Sequence, residues 1–298
     1  MITPPLLNEG DTVAIVSTAR KITKTEIAPL LDLLKSWGLN VVLGKSIDAS
    51  DHQYAGDDAL RASDLQQQLD DPNIKAIWCA RGGYGTVRLI DALDFSVFKS
   101  APKWIIGYSD VTVLHAHIHN FGIESLHANM AIDILTKSSD TRETVKEALF
   151  EGKYTIQYTS TLPQNRTGMA NGQLVGGNLS LLSALLGSPS AISTKGKILF
   201  IEDLDEMLYH IDRMMINLKR NGLLKDIAGL IVGGMNDMRD NSIPFGKTPV
   251  QIIAEAVAQY HFPVCFGFPA GHIDDNRALI MGRKCSLEVG SNLVTLRF

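Results

Sequence analysis

Short apolar runs alternate with amphipathic stretches through the first half of the chain. Thr12 to Ser17 is a β-branched run, and Ile27 to Trp37 carries apolar residues at helical spacing. Asn40 to Leu43 then reads as a strand, Asp58 to Leu69 as a helix and Ala76 to Ala80 as a strand. Thr86 to Leu93 is expected to be helical, Trp104 to Gly107 a strand, and Val111 to Phe121 a helix. Strands this apolar, separated by helices, are buried on both faces. They predict an α/β fold with a doubly wound, mostly parallel N-terminal sheet. Ligands of such sheets gather at the carboxyl ends of the strands, where Ser17, Arg81-Gly82-Gly83 and Ser109 fall.

The pattern changes after Tyr154. The stretch from Thr159 to Gly168 is polar and turn-rich, which suggests a connection between two units. The expected division is residues 1–155, a linker at 156–170, and a smaller mixed α/β domain at 171–298. In that second unit Leu179 to Leu186 is a short helix behind Gly176-Gly177-Asn178. Lys197 to Ile201 and Leu230 to Val232 are strands. Met207 to Asn221 is amphipathic and stops at Gly222, a residue suited to a helix end. Thr248-Pro249 opens a helix to Tyr260. Ala278 to Met281, Ser286 to Val289 and Leu293 to Phe298 read as closing strands.

Composition narrows the class. The chain has 298 residues, 45% of them hydrophobic, with a net charge of −4. At roughly 150 residues per domain, two domains with sizeable cores are expected. No basic stripe is present, which argues against a nucleic-acid partner. No apolar run approaches the roughly 20 residues of a membrane span. The first residues show no basic region followed by an apolar stretch, so a secretory signal is not expected. Cys79, Cys265 and Cys285 are scattered in strand-like runs without a C-x-x-C pair. These features together predict a cytoplasmic protein.

The segment Trp104-Ile-Ile-Gly-Tyr-Ser-Asp110 ends an apolar run in glycine and presents Ser109 just before a helix. Ser109 reads either as a helix N-cap or as a nucleophile on a sharp strand-to-helix turn. Val111 occupies the last glycine position of a G-x-S-x-G elbow. Arg81-Gly-Gly-Tyr-Gly85 also follows a predicted strand; it is either a tight turn or a place of close backbone approach to a ligand. A backbone amide there would supply a second oxyanion donor beside a serine nucleophile, worth about 3 kcal/mol of barrier.

Glu202-Asp203 ends the run from Lys197 to Ile201, and His272 follows the short apolar run Val264 to Phe268. Serine needs a base, histidine can serve as one near neutral pH, and a carboxylate can hold the ring in the right tautomer. The order Ser109…Glu202…His272 is the serine–acid–histidine order of the α/β-hydrolases.

Other motifs fail their tests. Position 88 is Arg where a dinucleotide fingerprint starting at Gly83 needs glycine. Position 241 is Asn where a phosphate loop ending in Gly246-Lys247-Thr248 needs glycine. His115 and His119 share a helical face but lack the glutamate of a zinc-binding His-Glu-x-x-His, so a half-exposed face is the preferred reading.

The ordered set of motifs resembles the LD-carboxypeptidases of peptidase family S66, which include the microcin C self-immunity peptidases. The matching residues are Arg81-Gly-Gly-Tyr-Gly85, Ile106-Gly-Tyr-Ser-Asp110, Gly176-Gly-Asn-Leu179, Phe200-Ile-Glu-Asp203, Ile211-Asp-Arg213, Gly222-Leu223 and Gly271-His272. The resemblance implies a Ser109–His272–Glu202 triad and an oxyanion hole of backbone amides near Gly83 and Asp110. It also implies a homodimer, no cofactor, no metal, and a murein-derived peptide substrate losing its terminal D-alanine during cell-wall recycling. The alternatives are an immunity-type peptidase cleaving a peptidyl-nucleotide amide, and a non-catalytic ligand-binding module. A tryptophan near the site would favour the immunity branch, but Trp37, Trp78 and Trp104 fall in or beside the first-domain core pattern. The chain departs from the family at His127-Ala128-Asn129-Met130, where His-Gly-Pro-Met is expected, and at Ala80, where glycine often precedes the turn. Arg81 and Arg239 are candidates for the substrate's carboxylate.

Overall fold

The computed structural model describes residues 1–298. Its strands are β1 (Thr12–Val16), β2 (Asn40–Leu43), β3 (Ile74–Cys79), β4 (Trp104–Gly107), β5 (Ser125–His127), β6 (Thr155–Thr159) and β7 (Gly168–Asn178), followed by β8 (Ile198–Leu204), β9 (Gly229–Asn236), β10 (Val264–Phe266), β11 (Leu279–Met281), β12 (Lys284–Val289) and β13 (Leu293–Arg297). They form two sheets. The first has the order β11-β5-β4-β3-β1-β2, and the second β10-β9-β8-β7-β12-β13-β6.

In the first sheet every pairing is parallel except β11 against β5. Its central strands are the β-branched runs of the sequence, and they are buried because helices cover both faces. Trp78 and Trp104 fill the layers beside β3 and β4 and are fully buried. The helix Lys24–Ser36 starts at a capping box: Glu26 N donates to Thr23 Oγ1 at 3.3 Å, and Thr23 N donates to Glu26 Oε2 at 2.8 Å. The second sheet is mixed. β7 to β10 run parallel, and β7, β12, β13 and β6 pair antiparallel.

Three local details differ from the sequence reading. Thr86 to Leu93 forms two short 3-10 turns, Thr86–Arg88 and Ile90–Ala92, rather than one helix. The run is short and carries β-branched residues at 86, 87 and 90, and the Thr86 amide is taken by the side chain of Asp110 at 2.8 Å. Thr155–Thr159, at the start of the expected 156–170 linker, is the edge strand β6 and pairs with β13. Ala278 to Met281 supplies β11, which crosses back to the edge of the first sheet.

The two sheets are also tied through side chains. Asn178 N, at the end of β7, donates to Thr112 Oγ1 in the helix Thr112–Asn120 at 3.0 Å. Lys137 Nζ donates to Ile273 O at 3.0 Å, which fastens the loop after β10 to the first sheet's side of the molecule. The carboxyl ends of β3, β4, β7 and β8 therefore open towards one another.

Candidate active site

Ser109 leaves the end of β4 with φ +60°, a left-handed conformation rare for a residue with a side chain. It begins the 3-10 turn Ser109–Val111, which runs into the helix Thr112–Asn120. Tyr108 occupies the cap position and makes no side-chain capping bond, so the turn is not an ordinary serine-capped start. The absent glycine of the elbow motif is explained by packing. A Cβ on Gly107 would lie 2.8 Å from the Val111 side chain, so the bare residue stands at 107 and Val111 fills the space.

Asp110 is buried, and its Oδ2 accepts from Thr86 N. This bond ties the turn at Ser109 to the glycine turn at 82–85. Burial raises the Asp110 carboxyl above its ordinary range, against the hydrogen bonds from Thr86. At the glycine turn, Gly83 has φ +107°, and a Cβ there would lie 2.6 Å from Arg20 Cδ. Gly82 lies directly against Ser109: a Cβ on Gly82 would be 3.4 Å from Ser109 Cβ.

Glu202 stands near the end of β8 and is fully buried. His272 Nδ1 donates to Glu202 Oε2 at 2.6 Å, and the His272 backbone amide reaches the same oxygen at 3.2 Å. That bond leaves Nε2 free to accept a proton. Burial works against a charged His272, yet the charge and hydrogen bond of Glu202, with Asp203 and Asp133 behind it, raise its pKa above the ordinary histidine value. The Tyr108 ring lies 4.8 Å from the imidazole and donates through its hydroxyl to Asp133 Oδ2 at 2.8 Å.

A cleft of about 520 Å³ lies between the two sheets, lined by Ser109, His272, Gly82 and Gly83 together with Arg20, Arg81, Met130, Asn178, Ser180 and Asp203 to Glu206. Ser109 and His272 thus face one space, and Glu202 supports His272 from behind. The sequence motifs mark Asn178, Asp203 and Met130, and Arg81 as a carboxylate candidate, but Arg20, Ser180, Leu181 and Leu204 to Glu206 were not found by sequence reasoning. Position was the available signal for Arg20, which follows the first strand where ligands of such sheets collect. Asp203 Oδ1 accepts from Asn178 Nδ2 and its Oδ2 from Ser180 N, both at 2.9 Å. Burial, then the charge of Glu202, pushes the Asp203 carboxyl up to about 7.

Several other candidates already hold partners. Ser17 is buried, and its Oγ donates to Arg20 O at 2.6 Å. Arg81 Nη1 donates to Lys21 O at 3.2 Å and lies 3.7 Å from Glu26. Arg239 Nε is 2.8 Å from Asp205. His115 is pinned between Ser125 Oγ and Gly107 O, each at 2.8 Å, and burial lowers its pKa to about 4. His117 meets Ser190, and His119 meets Lys197, so the three imidazoles of this helix do not converge. In the stretch that departs from the family pattern, Asn129 O accepts from Trp78 Nε1 at 2.9 Å, and Asn129 Nδ2 donates to Asp133 at 3.0 Å.

Two family descriptions match the chain: "LD-carboxypeptidase N-terminal domain" over residues 13–128 and "LD-carboxypeptidase C-terminal domain" over residues 171–287. The chain belongs to the LD-carboxypeptidase family, peptidase family S66. Among its relatives in this family, the probable murein peptide carboxypeptidase of Bacillus subtilis is 36% identical, with 98% of this chain and 93% of that protein covered. The microcin C7 self-immunity protein MccF of Escherichia coli is 24% identical, with 96% and 93% covered. The crystal structure of muramoyltetrapeptide carboxypeptidase from Oxalobacter formigenes superposes with a TM-score of 0.87 at 26% identity, over 96% of this chain and 98% of that one. The mixed α/β architecture with a mostly parallel first sheet is therefore that of the LD-carboxypeptidases.

Proposed function

We propose that this protein is a serine LD-carboxypeptidase that removes the terminal D-alanine from murein-derived tetrapeptides in the cytoplasm, during cell-wall recycling. The observation that carries this reading is a left-handed Ser109 at a strand-to-helix turn, facing the same cleft as a histidine held by a buried glutamate. Relatives named as murein peptide and murein tetrapeptide carboxypeptidases support the murein substrate.

Ser109 Oγ attacks the carbonyl of the bond to the terminal residue. His272 Nε2 takes the hydroxyl proton and returns it to the leaving amine. Glu202 fixes the tautomer with its 2.6 Å bond and stabilises the imidazolium that forms. The oxyanion is received by the amides of Gly83 and Asp110, carried by turns that Thr86 and Asp110 lock together. Water then releases the acyl-enzyme by the same base. No metal is needed for this sequence, and the working unit is a homodimer.

Neither alternative matches the cleft as well. Its lining carries no tryptophan, tyrosine or phenylalanine on which a nucleobase could stack. A non-catalytic module gives no reason for a strained serine opposite a Glu202-held histidine. The test is hydrolysis of a purified LD-linked tetrapeptide, with release of D-alanine as the readout. Wild type releases it with a chelator present, and Ser109→Ala loses about 10³-fold or more in kcat/KM. Wild-type turnover in the Ser109→Ala protein, or abolition by the chelator, overturns the reading.

A further inference from the structure

An exopeptidase must read a free α-carboxylate close to the bond it cuts. Successive Cα atoms are about 3.8 Å apart, so that carboxylate lies within one residue of the attacked carbonyl. The group that binds it must stand next to the oxyanion turn. Resting on the function proposed above, we propose that Arg20 binds the terminal carboxylate of the substrate.

Four observations carry this assignment. Arg20 lines the cleft beside Ser109 and His272, and it is exposed there. Its backbone is fixed to the glycine turn, because Arg20 N donates to Gly82 O at 3.4 Å and Ser17 Oγ holds Arg20 O at 2.6 Å. Its side chain lies against Gly83, where a Cβ would come within 2.6 Å of Cδ and Nε. The ion pairs around the cleft leave it out: Arg81 faces Glu26, Arg239 faces Asp205, and His210 faces Glu206.

Charge then decides the direction in which a substrate lies. The first sheet contributes Arg20 and Arg81 to the cleft, whereas the segment ending β8 contributes Asp203, Asp205 and Glu206. Asp205 and Glu206 already pair with Arg239 and His210, and Asp203 is held by Asn178 and Ser180, so a terminal carboxylate is drawn to the Arg20 guanidinium. A planar fork of N–H donors suits a carboxylate in a way a point charge does not. Gly83 has room for this arm because it carries no side chain.

The experiment compares one LD-linked tetrapeptide as the free acid and as its C-terminal amide. Wild type is expected to favour the acid by about 100-fold in kcat/KM, the effect of a charge-assisted bidentate contact. Arg20→Gln should lower turnover of the acid about 30-fold or more while changing the amide less than about 3-fold. Arg20→Lys should recover part of the loss. Equal loss on both peptides, or an unchanged preference for the acid, overturns the assignment.

A calorimetric arm separates this from the proposed chemistry. The Ser109→Ala protein should bind the acid about 10-fold or more tighter than the amide, and adding Arg20→Gln should erase the difference. Absent binding, or equal binding of both peptides by Ser109→Ala, overturns the role of Arg20. Failure of the wild type to cleave a peptide that Ser109→Ala binds in this way overturns the proposed activity alone.

Discussion

His272 Nδ1 lies 2.6 Å from Glu202 Oε2, a bond between residues seventy positions apart in the chain. Glu202 stands near the end of a strand of the second sheet, and His272 follows the strand next but one in the same sheet. The histidine therefore rests on a rigid support, and its second nitrogen is left to face the cleft that Ser109 lines.

Replacing Glu202 by Gln keeps the shape of the pair but removes its charge. A glutamine can accept the Nδ1 hydrogen through its oxygen, or present its amide and force the other tautomer. Loss of about 10²- to 10⁴-fold in kcat/KM is expected, read from tetrapeptide hydrolysis. A loss under threefold would mean that Glu202 does not govern the histidine.

The same pair sets the pH dependence. His272 is raised above about 6.5, its unperturbed value. A histidine raised on folding stabilises the native state below its unfolded pKa. That contribution is lost as pH rises through the folded value. The neutral ring is the base, so kcat/KM should climb with pH to an inflection above about 6.5. Burial opposes this rise, and the carboxylates of Glu202, Asp203 and Asp133 produce it. His127, fully buried nearby, is itself held well below its ordinary value. In the Ser109→Ala background, Glu202→Gln should move the His272 titration down when followed by NMR; an unmoved titration contradicts this account.

Gly271 carries the histidine loop across Glu202 with φ +103°, and a Cβ there would lie 2.7 Å from Glu202 Cβ. Gly271→Ala should cost about 1–3 kcal/mol of stability, because both the conformation and the contact resist it. Urea unfolding measures the stability, and hydrolysis should fall with it as His272 is displaced. Unchanged stability and activity would show that the loop relaxes freely.

Asp110 links the two turns through Thr86 N. Asp110→Ala leaves that buried amide unpaired, a penalty of about 1–3 kcal/mol. Asp110→Asn retains an acceptor and should lose less. Denaturant midpoints of the two variants check the order, and the reverse order would refute it.

What the sequence by itself determined was local and periodic. β-branched runs separated by amphipathic stretches predicted the parallel strands, because burial on both faces demands such residues. Gly107-Tyr-Ser-Asp110 and Arg81-Gly-Gly marked places where the backbone must turn sharply, and both turns line the cleft. The resemblance linked Ser109 to residues far downstream. Chain order alone carried no distances.

Only the tertiary structure decided which groups meet. β11 joins the first sheet although it lies near the end of the chain, because a free strand edge there accepts it. Val111 could replace the elbow's last glycine because Gly107 yields the space. Arg20, which no motif marks, enters the cleft because Ser17 and the Gly82 carbonyl fix its backbone beside Gly83. Arg81 and Arg239, the arginines that sequence favoured, are drawn towards Glu26 and Asp205. Ion pairing is a matter of distances across the fold, and periodicity along the chain does not encode it.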